Sequence, residues 1–191
     1  LLLARGVPEE SAKLKVSELY SPPRVTAQLG CLPELGLSEG QCFDLSGDAQ
    51  GRRWNFLKAA DREEARRRVR EEKPYLLIGS PPCVDYCLLN LNWNFPRMPE
   101  EEVRRRKVAS QVLLRFAVEL YWLQLRAGRH FLHEHPATAA SWKDTRVQEL
   151  RQHVGVDEVT AHQCMFGLLT RSDFGGLEAA KKPTRFMSSA P

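Results

Sequence analysis

The chain has 191 residues, 42% of them hydrophobic, and a formal net charge of +4 from 28 Lys and Arg against 24 Asp and Glu. That length suits one domain with a sizeable core, and no apolar run is long enough to span a bilayer, which excludes a helical membrane protein and sets aside a membrane partner. The charge permits a nucleic-acid partner without requiring one, because both basic runs, 62–73 and 100–108, are threaded with Glu and read as solvated helix faces.

The five cysteines follow no regular framework, and "LLLARG" lacks the basic lead and length of a secretory signal. Reduced thiols inside a cell, in nucleus or cytoplasm, are the expectation. The sequence begins without Met and stops at "FMSSAP", which reads as a segment of something longer. Residues 1–12 are expected to form an N-terminal extension, and 13–191 a single α/β domain.

Taken in chain order, "KLKVSELY" (13–20) alternates and predicts a strand. A Pro-interrupted helical stretch follows at 23–36, then a short strand at 40–45 ending near Asp44. "AADREEARRRVREEK" (59–73) predicts a helix that Pro74 ends. "YLLIGS" (75–80) reads as a buried strand, and the Asn- and Pro-rich 90–99 as a loop. The longest helix is predicted over 100–128, with Val108, Val112, Phe116, Leu120 and Leu123 on its apolar stripe and Gly128 as its cap. A strand over 129–135, a helix over 142–155, and strands at 159–166 and 184–189 complete the pattern. Crossover helices between strands imply a mostly parallel sheet with helices on both faces. Ligands of such sheets lie outside the carboxyl ends of the strands. Asp44, Cys83 and Glu134 each fall at or just past such an end.

Pro81 and Pro82 stiffen the turn that carries Cys83, which suits a nucleophile that must meet a carbon at a set angle. The bland alternative is a buried loop cysteine. Glu134 leaves an apolar strand, where a raised pKa would let it act as an acid; a rim carboxylate paired with a neighbouring cation is the alternative. Cys83, Cys87, His133 and His135 have zinc-ligand chemistry, but their C-x3-C and H-x-H spacing matches neither a structural finger nor a nucleobase deaminase, so no metal is expected. Trp54, Trp93, Trp122 and Trp142 are candidate base-stacking platforms or packed aromatics, with Trp93 in the loop after Cys83.

"LLIGSPPC" resembles the Pro-Cys motif of cytosine-5 DNA methyltransferases, and "FLHEHP" their Glu-Asn-Val or Glu-Asn-Pro motif. "HQCMFG" and "KKPTRF" are similar to downstream strands of compact members, "SELYSPPRVT" to the first strand and cofactor loop, and "FDL" to the second strand. The match is collinear over roughly 15 to 190. Wider stretches also look like a domain carried in copia-like retroelement polyproteins. The resemblance implies a Rossmann-like methyltransferase fold without a target-recognition domain. It implies S-adenosylmethionine held by Tyr20, Ser21, Asp44, Asn55, Ser80 and Pro81, and DNA whose flipped cytosine is attacked by Cys83 and protonated by Glu134. Pro82, His135 and Arg185 would contact the base or phosphate.

The likeness breaks at the cofactor loop, where Ser21-Pro22-Pro23-Arg24 replaces a Gly-rich turn and backbone N–H groups are lost. Asn55 stands where an Asp would bind the adenine amino group, and His135 where Asn is expected. Asp85 is expected to raise the Cys83 pKa. Two functions therefore follow: methyl transfer through a Cys83 adduct, or a catalytically inactive module of the same fold that binds nucleic acid or a partner.

Overall fold

A computed structural model describes residues 13–48, 50–173 and 175–191; the expected extension over 1–12 lies outside them. The elements are β1 (Leu14–Leu19), β2 (Leu37–Phe43), α1 (Ala59–Glu72), β3 (Leu76–Gly79), α2 (Glu100–Arg126), β4 (His130–Pro136), α3 (Thr145–Arg151), β5 (Asp157–His162), β6 (Leu169–Arg171), β7 (Leu177–Ala179) and β8 (Pro183–Ser188). The chain is mixed α/β, with a six-stranded, mostly parallel sheet in the order β2-β1-β3-β4-β8-β5. β8 is the exception, running antiparallel to both β4 and β5. No helix among the described residues is long and apolar enough to cross a membrane.

Helices on both faces were expected, and the arrangement differs. Ser17, Leu77 and Phe131 line up on one face, as do Leu19, Gly79 and His133. α1 meets that face where the Ser17 hydroxyl donates to Glu72 (2.6 Å). α2 meets it where Tyr121 stacks on Phe131 at 4.7 Å. α3 joins through Val147 and Leu150, buried in the same core. The cause is topological. Crossovers between parallel strands are right-handed, and the steps β2 to β3, β3 to β4 and β4 to β5 all run the same way across the sheet. Only β1 to β2 runs back, so its connection crosses the other face. That connection is two short 3-10 turns, Thr26–Cys31 and Pro33–Leu35, and it buries Val16, Glu18 and Leu29.

Several boundaries shift. β2 begins at Leu37 rather than residue 40, and the helix expected over 142–155 is a 3-10 turn (Ala140–Lys143) followed by the shorter α3. The strand expected over 159–166 is β5 followed by a 3-10 turn (Gln163–Phe166), and the small β6–β7 hairpin had no counterpart in the reading. The stretch read as a loop at 90–99 is helical, a π-helical turn over Asn90–Asn94 running into a 3-10 turn over Phe95–Arg97. On α2 Phe116 and Leu120 of the expected stripe are buried, the seam extends to Ser110, Leu114, Ala117, Val118, Tyr121 and Gln124, and Val108 is 55% exposed.

Gly79 closes β3 because nothing larger fits. A Cβ there would lie 1.9 Å from the Tyr121 hydroxyl. Tyr121 is fully buried, and its hydroxyl shares a hydrogen bond of 3.1 Å with His133 Nδ1.

Candidate functional site at the carboxyl edge of the sheet

Strands β1 to β4 are parallel, so their carboxyl ends share one edge. The connection from β1 leads to one side and that from β3 to the other. The gap between these two strands is therefore the topological switch point, where ligands of such sheets bind. Ser80 N donates to Leu19 O (3.2 Å) and ties the two exits together.

Cys83 is partly buried and opens a 3-10 turn, Val84–Tyr86. Glu134 lies on β4 one residue beyond the level at which β3 ends, since His133 pairs with Gly79. Its Oε1 is buried without a hydrogen-bond partner among the described residues. Burial pushes the Glu134 pKa up, while Lys182 and the Ser80 hydroxyl ease it down. Burial also pushes the Cys83 thiol up, Lys182 opposes this, and Glu134 and Cys87 add to the rise. Cys83, Glu134 and Lys182 are thus near enough to act on one another's charge. Asp85 does not play the part expected of it, because Arg106 of α2 holds its carboxylate at 2.6 Å.

Lys182 was not singled out from the sequence. It directly precedes β8, and because β8 runs against its neighbours, its start lies where the others end. Ala137 N donates to Pro183 O (3.0 Å), which brings that start against the end of β4.

The loop after β1 is organised by a residue the sequence reading passed over. Glu18 is 1% exposed, and its Oε1 accepts from the N–H groups of Arg24, Val25 and Thr26 at 3.0, 3.0 and 2.9 Å and from the Thr26 hydroxyl at 2.8 Å. Successive N–H groups of this kind form an anion-binding concavity, and the protein's own carboxylate fills it. The strand pattern carried a weak signal: Glu18 shares the inward face with Val16.

The remaining candidates disperse. Tyr20 adopts φ 62°, a strained left-handed backbone for a bulky residue, and its hydroxyl donates to Leu113 O (2.7 Å) on α2. The Ser21 hydroxyl donates to Pro22 O (2.7 Å). Asp44 Oδ1 accepts from the N–H and hydroxyl of Ser46 at 2.8 and 2.5 Å. Asn55 Oδ1 accepts from Leu57 N (3.1 Å). Pro81 is buried and its carbonyl receives His135 Nε2 at 2.6 Å, whereas Pro82 is exposed. Arg185 lies on β8 over the Trp142 ring (5.1 Å), with Glu158 at 3.8 Å. Trp54 and Trp142 are buried, and Trp93 is 59% exposed.

Among the described residues, no three His, Cys, Asp or Glu side chains group to hold a metal. No protein-family model matches the sequence, and no curated protein matches it.

Proposed function

We propose that this chain is a module of the cytosine-5 methyltransferase type, on a Rossmann-like sheet, that keeps the groups handling the base and has closed the loop that would hold the cofactor. The observation carrying this reading is the placement of Cys83 after β3, Glu134 on β4 just beyond the end of β3, and Lys182 ahead of the antiparallel β8, all at one edge of the sheet, where their charges bear on one another. A thiol beside a carboxyl with a raised pKa suits a flat electrophilic ring. The sulfur adds to C6 of a flipped cytosine, the ring electrons move toward N3, and N3 takes the Glu134 proton while the thiol proton passes to solvent. Reversal restores the base.

The cofactor side speaks against S-adenosylmethionine. Pro22 and Pro23 have no N–H to offer, and the next three are engaged by Glu18. Tyr20 is turned toward α2, and Asn55 is engaged in its own turn. The residues assigned to the cofactor do not fit it, so no methyl-transfer step follows, and the function is binding of nucleic acid that presents an unstacked cytosine. Full methyl transfer is the second reading, favoured by one observation: Asp44 Oδ2 has no hydrogen-bond partner among the described residues and stands free for a ribose hydroxyl.

Calorimetric titration of the folded protein and of Cys83→Ser tests both. The expected result is no heat from S-adenosylmethionine up to millimolar concentration, and binding of a duplex with an unpaired cytosine. Micromolar cofactor binding by both proteins would reinstate methyl transfer. Failure to bind the duplex would remove the nucleic-acid reading.

A further inference from the structure

The turn that presents Cys83 has an unusual anchoring problem. Tyr86 N on Cys83 O (3.0 Å) and Asn90 Nδ2 on Val84 O (2.6 Å) hold the turn beyond Cys83, but ahead of it Pro81 and Pro82 have no N–H groups with which to fasten the chain to β4. Its handle is the Pro81 carbonyl, and a side chain holds it. His135, 1% exposed on β4, reaches that oxygen through Nε2 at 2.6 Å. A carbonyl only accepts, so Nε2 carries the proton and Nδ1 is left as an acceptor. Nδ1 is met at 2.5 Å by the hydroxyl of Ser141, itself 1% exposed in the turn after β4. Both ring nitrogens are thereby committed.

From this geometry we infer that His135 is a positioning residue, a strut that fixes the Pro81-Pro82-Cys83 turn against β4 and so sets where the thiol stands. The family resemblance implied a place for His135 against the base. With both nitrogens engaged inside the fold, it acts on the site through Pro81 instead. Burial holds its pKa down to about 4, so the strut is neutral and intact at neutral pH. The titratable groups whose charge bears on the thiol are Glu134 on β4, Lys182 ahead of β8 and Cys87 of the same turn. Losing the strut frees the turn, admits water to Cys83 and removes the main cause of its raised pKa. The inference rests on the reading of Cys83 as the reactive group of the site, but not on what that group reacts with.

Alkylation by iodoacetamide, followed at each cysteine by mass spectrometry across a pH series, tests it without nucleic acid or cofactor. Failure of the nucleic-acid reading therefore leaves the result interpretable. In His135→Gln the amide nitrogen reaches the place of Nε2 and keeps the bond to Pro81. In His135→Asn it reaches only the place of Nδ1, and the bond is lost. The asparagine variant is expected to alkylate Cys83 about fivefold faster near pH 8, with the inflection of its pH profile moved down, because thiolate fraction sets the rate. The glutamine variant should stay within about twofold of the parent. Cys42, 7% exposed, and Cys164 report on the fold and should not change. Ser141→Ala, which leaves the ring free to turn, should shift the profile in the same direction by less. An unchanged Cys83 profile in both His135→Asn and Ser141→Ala would overturn the proposal. So would a glutamine variant as disturbed as the asparagine one, or Cys42 becoming reactive together with Cys83.

Discussion

Glu18 and Thr26 are joined twice: one carboxylate oxygen accepts both the Thr26 N–H (2.9 Å) and the Thr26 hydroxyl (2.8 Å). The same oxygen takes the N–H groups of Arg24 and Val25. Removing it leaves the buried N–H and hydroxyl of Thr26 without their acceptor, each at its desolvation cost, and releases the part-buried N–H groups of Arg24 and Val25. Glu18→Ala should therefore lower unfolding free energy by about 3–5 kcal/mol, and Glu18→Gln, which keeps one accepting oxygen, by about 1–3 kcal/mol. Urea denaturation reads both. A loss under about 1 kcal/mol for the alanine variant would mean the carboxylate does not hold the loop.

Part of this architecture is legible in the sequence. The alternating run that became β1, the apolar run that became β3 and the Phe131-Leu132 start of β4 all read as strands, and α1 is bounded by Pro74. Cys83 and Glu134 were legible for the same reason, since parallel strands put reactive residues on a common edge. What escaped depends on direction and pairing, which periodicity does not encode. The antiparallel course of β8 brings Lys182 to that edge, and a strand pattern reads the same in both directions. Glu18 escaped because a carboxylate in a strand reads as outward-facing until the loop that folds over it is known. His135 was visible as a residue, but its partners Pro81 and Ser141 come from different elements.

Gly79 and Tyr121 are in contact so close that the glycine cannot be enlarged. A Cβ would meet the Tyr121 hydroxyl at 1.9 Å and its ring at 2.8 Å. The ring is stacked on Phe131 and has no room to retreat. Gly79→Ala should cost about 3 kcal/mol or more, at the upper end for overpacking. Tyr121→Phe alone forfeits the bond to His133 and should cost about 1–2 kcal/mol. Combined, the two should cost less than their sum, because removing the hydroxyl relieves the shorter clash. Strict additivity in a double-mutant cycle would show that the contact is not the cause.

Trp93 separates the nucleic-acid reading from a packing role. It is 59% exposed on the π-helical turn after Cys83, and the Arg97 guanidinium lies 5.5 Å over its ring. An exposed ring contributes little to folding, so Trp93→Ala should change stability by no more than about 0.5 kcal/mol. If the ring stacks on an unpaired base, the same change should weaken binding of a single-stranded oligonucleotide by about 1–3 kcal/mol, or roughly five- to 150-fold. Fluorescence anisotropy at constant salt measures the loss. Unchanged affinity with unchanged stability would remove Trp93 from the interface.

His135 also predicts how stability depends on pH. Its pKa falls from an ordinary 6.5 to about 4 in the folded chain, because burial disfavours the imidazolium. Between those values the unfolded chain binds a proton that the folded chain refuses. The contribution is complete above the unfolded value and is lost as pH falls through this window. A full 2.5 units (6.5 minus 4) corresponds to about 3 kcal/mol. His133, whose pKa burial also holds well below the usual range, acts in the same direction. Glu134 acts in the other, because its raised pKa lets the folded chain keep a proton that the unfolded chain releases. With two histidines against one carboxyl, stability should fall between about pH 6.5 and 4.5. His135→Gln removes one of the two imidazoles that refuse the proton and keeps the bond to Pro81, so its stability should decline less steeply over the same range. Urea midpoints measured at intervals across it give both slopes. Equal slopes in the parent and the glutamine variant would show that His135 is not a source of the acid sensitivity.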